Sequence, residues 1–233
     1  MNAATVPVDL PSPQARPTLA TTITKQLRDA IMNGELKAGE KLRLDILRKS
    51  LGVSLSPLRE ALSRLGSEGL VLIEDQRGYR VAPVSADNLQ EIICLRLICE
   101  PLALTHSIEK GDDAWEELLV ASLHTLQKYD RLGRNTPQAM EAWERAHKKF
   151  HAQLIGACGM PVLLQFCSRL HDLSDRYRRL FLRETHSAIK RNVPEEHRLI
   201  TESALRGDVK GACTHLREHI QTSKINISNV LSV

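Results

Sequence analysis

The chain has 233 residues, 42% of them apolar and 26% charged, which excludes a largely disordered protein and leaves room for one large domain or two modest ones. Three Phe, three Tyr and two Trp are too few to favour an immunoglobulin-like sandwich or single-strand binding by base stacking, so the core must be aliphatic. The net charge of +4 does not by itself establish a polyanion partner, although the excess lies mainly in the first third, where residues 1–84 carry 12 Lys and Arg against 9 Asp and Glu.

No uncharged apolar run approaches the roughly 18 residues of a membrane span, and Met1 to Pro17 lacks a continuous apolar h-region. Neither export nor a membrane partner is expected, and a cytoplasmic location is. Five cysteines, Cys94, Cys99, Cys158, Cys167 and Cys213, form no CxxC pair and read as reduced thiols.

Residues 1–17 contain four prolines and no periodic apolar pattern, which reads as a mobile arm. Ile23, Leu27, Ala30 and Ile31 recur at helical spacing until Gly34. A short second helix fits Leu44 to Leu51, stopped by Gly52. Ser56-Pro57 then offers an N-cap and a first-turn proline to a third helix, whose buried face is Leu58, Ala61, Leu62 and Leu65. Past Gly69 the period changes: Leu70 to Ile73 and Tyr79 to Ala82 are strand-like runs around a turn, a hairpin. Three helices and a hairpin are the parts of a winged helix-turn-helix, expected over residues 18–84 and placing its third helix in a major groove.

Beyond Pro83 and Ser85 no strand pattern recurs. Helical stretches run from Asp87 to Glu109, Asp112 to Asp130, Thr136 to Ala157, Pro161 to Arg183, Glu195 to Arg206 and Asp208 to Ile225, broken at glycines and prolines. An antiparallel α-helical bundle is expected over residues 85–228, with a tail at 229–233. The fold class is thus mainly α, with a small β-hairpin wing.

The run Gly34-Glu35-Leu36-Lys37-Ala38-Gly39-Glu40-Lys41-Leu42, followed by Leu51-Gly52-Val53-Ser54 and by Ser56-Pro57-Leu58-Arg59-Glu60-Ala61-Leu62, resembles the signature of the GntR family of winged-helix regulators. Gly69-Leu70-Val71 and Arg77-Gly78-Tyr79 continue it. The second half resembles the all-helical ligand-binding domain of the FadR branch of that family, with Arg96 and Glu100 on its first long helix. The resemblance implies metal ligands at His151, His197 and His219, the last in preference to His215, and at position 147. It departs at two points: Leu55 stands where a DNA-contacting Arg is usual, and His147 where Asp is common. Gly111 to Glu116 and Arg169 to Arg178 are similar to branch members that govern glutarate catabolism, which is what suggests a glutarate-like effector.

The major groove presents guanine N7 and O6 as acceptors, so a reading helix needs donors near its N-terminus. Arg59 and Arg64 lie on that helix, Ser54 and Ser56 can donate to phosphate, and Arg77 and Arg80 flank Gly78 in the wing. A solvated basic face is the competing reading of any one of these arginines. Double-stranded DNA, bound by a symmetric homodimer over a short inverted repeat, is the expected partner.

In the second half, His147/His151 and His215/His219 are pairs at i, i+4, a spacing that puts two imidazoles on one helix face. His147 and His151, joined by His197 and His219, can present neutral imidazoles to a divalent cation, and such a set suits Zn or Ni better than Mg. Arg96 and Glu100 are either an intrahelical salt bridge or, for Arg96, a clamp on an effector carboxylate. Arg169, Arg176 and Tyr177 are further candidates for the cavity wall around a small mono- or dicarboxylate. Two alternatives stand beside this regulator reading. One is a metal-dependent hydrolase, for which Glu144, Glu195, Glu196 and Glu218 are the nearby acids; the other is a dimerisation module without effector sensing.

Overall fold

A computed structural model describes residues 18–74, 77–134, 136–184 and 191–231. The chain divides into two compact units, one comprising the chain to Ile31 with Glu35–Ala82, the other Met32–Gly34 with Pro83 onward. The arm expected over residues 1–17 lies outside the described residues.

The first unit holds helices α1 (Leu19–Met32), α2 (Leu44–Leu51) and α3 (Leu55–Ser67) and strands β1 (Lys41–Leu42), β2 (Val71–Glu74) and β3 (Gly78–Val81). Leu58, Ala61, Leu62 and Leu65 are sealed from solvent on one face of α3, where Ile23 and Leu27 of α1 and Val81 of β3 are also buried. Each such leucine contributes roughly 1.5–3 kcal/mol on burial, which fixes that face inward and leaves the opposite face of α3 to solvent. Gly52 ends α2 with φ of 65°, a left-handed conformation that an L side chain resists, and thereby permits the sharp turn into α3.

Two details differ from expectation. The N-cap of α3 is Ser54, so Ser56 sits inside the first turn instead of capping it. The sheet has a third strand, in the order β1-β3-β2, with Lys41 opposite Arg80 and Val71 opposite Val81, all antiparallel. Two residues are too short to show a period, which is why β1 is invisible in the sequence.

The second unit is helical among the described residues: α4 (Ala86–Lys110), α5 (Asp113–Leu132), α6 (Pro137–Leu154), α7 (Pro161–Glu184), α8 (Val193–Leu205) and α9 (Val209–Leu231). Helix α9 covers residues 229–231, where the sequence pattern predicts a tail. Side-chain caps start five of these helices: Ser85 accepts from the Asn88 N–H, Asp112 from that of Trp115, Thr136 from that of Ala139, Asn192 from that of Glu195 and Asp208 from that of Gly211. Helix α4 packs against α7 and α9, α5 against α6 and α8, and α8 against α9. Leu89, Ile93, Leu104, Leu119, Phe150, Leu154, Ile200, Leu216 and Ile220 form the apolar core, which supports buried polar side chains on α6 to α9.

Candidate functional site

In the first unit the outer face of α3 carries Ser54, Ser56 and Arg59, all exposed, and Arg59 makes no hydrogen bond or ion pair among the described residues. Its guanidinium is therefore free to donate. Arg64, one turn on, is exposed but pairs with Glu60 at 2.6 Å and donates to Thr21 at 3.1 Å. Leu55, 40% exposed, places an apolar side chain at the start of that same face. In the wing, Arg77 is exposed beside Gly78, whose φ of 95° makes the tight return between β2 and β3. Arg80 has a structural role, because its Nε donates to Glu74 at 3.1 Å and its Nη1 to the Gly39 carbonyl at 2.6 Å, which pins β1 to β3.

The second unit collects histidines. Phe150, Leu154 and Trp143 turn one face of α6 inward and carry His147 and His151 with them; α8 brings His197 and α9 brings His219. All four are at most 5% exposed, and their ligand atoms lie within 4.8 Å of one another. The Nε2 atoms of His147 and His151 are 3.2 Å apart, and the rings of His197 and His219 are 4.8 Å apart between centroids. Burial holds His147, His151 and His197 well below the ordinary imidazole pKa, and neighbouring cationic groups push the same way, so these rings are neutral; the Nδ1 of His147 accepts from Arg178 Nη1 at 2.9 Å, whereas His197 keeps its lone pair for a ligand.

The donor set fits a divalent cation on two further grounds. Neither nitrogen of His197 and not the Nδ1 of His151 has a hydrogen-bond partner, although all three atoms are sealed from solvent. The Nδ1 of His219 lies 2.8 Å from Glu196 Oε2, a carboxylate contact that fixes the tautomer and leaves Nε2 as the ligand atom. Burial raises the pKa of Glu196, but hydrogen bonds from His219 and from Arg191 outweigh it and bring it to about 2. His215 is turned away from the cluster, 3.7 Å from Glu218.

Of the effector residues expected from the sequence, Arg96 and Glu100 meet each other. Arg96 and Glu100 are joined by two hydrogen bonds, of 2.5 and 3.3 Å, and Arg96 also donates to Ser174 Oγ at 2.9 Å. Each nitrogen of Arg96 thus has a partner within the helical unit. Arg169 is exposed. Tyr177 is buried at the start of α4, its hydroxyl donating to Asn88 Oδ1 at 2.8 Å and accepting from the Ser85 N–H at 3.3 Å. Arg176 is also buried. A cavity of about 60 Å³ is lined by Glu100, one of the expected residues, with Lys148, His151, Ile155, Leu164 and His171.

The sequence reading missed His171 and Asp175, an i, i+4 pair on α7 facing His147, with their ligand atoms and one of His147 within 4.8 Å. A search for His-x-x-x-Asp as well as His-x-x-x-His finds them. Cys167 also approaches the cavity; all five cysteines are free, and burial pushes the Cys167 thiol up to about 12. No helix among the described residues is long and apolar enough to cross a membrane.

A three-helix winged unit with an open basic face, joined in one chain to a helical unit built around buried imidazoles, defines a regulator that binds DNA. Residues 19–81 match the family model for bacterial regulatory proteins of the gntR family, and residues 91–222 match the FCD domain. The chain belongs to the GntR family, in the branch with an FCD domain. It is 33% identical over 84% of its length to the HTH-type transcriptional repressor GlaR of Escherichia coli K12, covering 90% of that protein. It is 38% identical over 85% of its length to the uncharacterized HTH-type transcriptional regulator BphR of Paraburkholderia xenovorans, covering 81% of it. The structure of E. coli McbR/YncC superposes with a TM-score of 0.75 at 23% identity, over 91% of this chain and 98% of that one, and so shares its fold. Membership in a family of regulators sets the hydrolase alternative aside.

Proposed function

We propose that this transcription regulator is a repressor released from its operator by a small organic acid sensed in the metal-binding helical unit. Ser54, Ser56, Arg59 and Arg64 on α3, with Arg77 and Gly78 in the wing, contact the operator, Arg59 as the principal reader of a guanine edge. The cation is Zn or Ni, held by His147, His151, His197 and His219, and a bound cation supplies a Lewis-acidic centre for a carboxylate oxygen. The single observation that carries this reading is four buried neutral imidazoles converging from three helices, a costly arrangement for a unit that only dimerises. The repressor assignment takes its direction from GlaR, which is named a repressor.

A homodimer is supported by α4, where Leu95, Ile98 and Leu102 expose 41, 61 and 44% of their surface at i, i+3 and i+7. Such a stripe on one helix suits a two-fold pairing, and a two-fold protein reads an inverted repeat. The effector is a mono- or dicarboxylate, glutarate-like by resemblance.

Operator fragments selected from random duplex DNA by the purified chain test this reading. Titration with glutarate is expected to weaken binding, and a chelator to abolish that response. An acid response untouched by chelation removes the metal from the mechanism, and constant DNA affinity across an organic-acid series rejects sensing and leaves a dimerisation module.

A further inference from the structure

Guanidinium nitrogens donate and never accept, so an atom that Arg178 bonds to has to offer a lone pair. On α7, Arg178 Nη1 donates to His147 Nδ1 at 2.9 Å and to Asp175 Oδ1 at the same distance. Its Nε and Nη2 are closed to solvent and make no hydrogen bond among the described residues, so Nη1 carries both contacts. A neutral imidazole has one lone pair and one N–H; His147 is neutral, and the lone pair on its Nδ1 therefore puts the hydrogen on Nε2. That Nε2 is the nitrogen on the side of the imidazole cluster, 3.2 Å from His151 Nε2. Trp143 stacks on the same ring, 4.8 Å between centroids and 21° between planes, and so holds the plane in which one nitrogen meets Arg178 and the other His151.

Each nitrogen of His147 is thus closed to a cation, Nδ1 by Arg178 and Nε2 by its own hydrogen, which donates to His151. We propose that Arg178 is a positioning residue that competes with the cation for His147. This rests on the metal-binding reading and deepens it: His151, His197 and His219 take the cation first, and His147 completes the set only when Arg178 lets go. For that, the His147 proton moves from Nε2 to Nδ1, which frees the Nε2 lone pair and turns an N–H toward Arg178, donor against donor. Nη1 must then withdraw. Asp175 can receive both groups, since its Oδ1 already accepts from Nη1 and one of its carboxylate oxygens lies within 4.8 Å of a His147 nitrogen. A carboxylate that accepts from the far N–H of a ligating imidazole fixes its tautomer and raises its basicity. Arg178 therefore sets how firmly the fourth imidazole joins, and ties metal occupancy to the position of a side chain on α7.

The test is titration of the full chain with Zn(II), by competition with a chelating indicator, in the wild type and in Arg178→Gln, Arg178→Lys and His147→Ala. Gln brings a carbonyl oxygen that can accept from Nδ1–H and an amide N–H for Asp175, whereas Lys, like Arg, only donates. Arg178→Gln is expected to bind Zn(II) about tenfold or more tighter than wild type, the scale on which the outer partners of a ligating imidazole act, and Arg178→Lys to stay close to wild type. His147→Ala is expected to leave the affinity of the wild type within about twofold, and to cost about tenfold or more when added to Arg178→Gln. Arg178→Gln no tighter than wild type overturns the competition, and so does an equal gain in Arg178→Lys, which assigns the effect to packing. Equal losses on His147→Ala in the two backgrounds make His147 an unhindered ligand and end the proposal while the metal reading stands. Should Arg178→Gln fail to fold, His147→Ala in the wild type decides: retained affinity supports the competition and a loss beyond about twofold overturns it. No Zn(II) bound by the wild type or any variant overturns both readings.

Discussion

Arg96 and Glu100 face each other one turn apart on α4 with only 6 and 4% of their side chains exposed, and Arg96 Nε donates to Glu100 Oε1 at 2.5 Å. At this depth neither charge has water to fall back on, and breaking the pair from one side leaves an uncompensated charge. Arg96→Met is therefore expected to cost about 3–5 kcal/mol in denaturant unfolding, and the double variant with Glu100→Leu to recover much of it. If the single variant is as stable as wild type and loses acid binding instead, Arg96 is an effector clamp after all.

Arg59 is the free guanidinium on the exposed face of α3, whereas Arg64 and Arg80 already have acidic partners. Removing it takes away donors to DNA without touching the core. Arg59→Ala should bind selected operator DNA at least about tenfold more weakly, with circular dichroism unchanged. Arg80→Ala should act mainly through the fold, since it detaches β3 from Glu74 and Gly39; operator affinity near wild type for Arg59→Ala, at matched salt, would move base reading elsewhere on the unit.

The contrast between these arginines marks how far the sequence can be read. The buried face of α3 is legible because Leu58, Leu62 and Leu65 recur with the helical period, and the stop of α2 because Gly52 is the residue that tolerates its positive φ. The cap of α3 is not, because Ser54 and Ser56 are equally good capping types and only the fold chooses between them. Pairing across a sheet is not periodic in one strand, so the tie of Arg80 to Gly39, 41 residues away, has no local signature. In the helical unit His147 and His151 show their shared face by spacing, and so do His171 and Asp175, but that the His171 ring meets that of His147 has no local signature. The same holds for Tyr177, which helical periodicity places inward but whose hydroxyl partners, Ser85 and Asn88, lie 92 and 89 residues away.

His197 is wholly buried and neither of its ring nitrogens has a hydrogen bond. A cation bound there stabilises the native state by mass action, about 2.7 kcal/mol when free ion exceeds its dissociation constant a hundredfold. Chelation should then lower the melting temperature of the wild-type protein by several degrees. In His197→Ala that chelator-dependent drop should shrink by more than half and the metal content measured by elemental analysis should fall with it. A variant that keeps both would place the ion away from His197.

Asp130 Oδ1 accepts from Trp143 Nε1 at 2.7 Å, while its Oδ2 is buried without a partner. Burial raises its pKa against the opposing pull of the Trp143 hydrogen bond and of Arg134 and Arg131. A raised folded-state pKa means that protonation stabilises the fold: this contribution is fully present below the pKa of the unfolded carboxylate and is lost as pH rises through the folded value. Asp130→Asn keeps the acceptor and removes the charge. Its melting temperature should equal or exceed that of wild type at pH 7, by up to a few degrees, with the gap closing toward pH 4. A deficit of the same size at both pH values would show that the carboxylate geometry, not its charge, is what Trp143 requires.

Gly111 joins α4 to α5 with no room for a side chain: a methyl group there would stand 2.2 Å from Trp115 Cε3 and 2.7 Å from the Ser107 carbonyl oxygen. Trp115 cannot swing aside easily, because it is 6% exposed and its Nε1 donates to the Gln153 carbonyl at 2.8 Å. The backbone at Gly111 is ordinary, with φ of −61°, so the constraint is packing alone. Gly111→Ala should thus destabilise the helical unit by about 1–3 kcal/mol, the range for an overpacked core, and should shift Trp115 emission as the indole leaves its pocket. Adding Trp115→Leu, which removes the clashing ring edge, should make the alanine nearly silent relative to Trp115→Leu alone; an additive loss in the double variant would locate the strain in the Ser107 carbonyl contact instead.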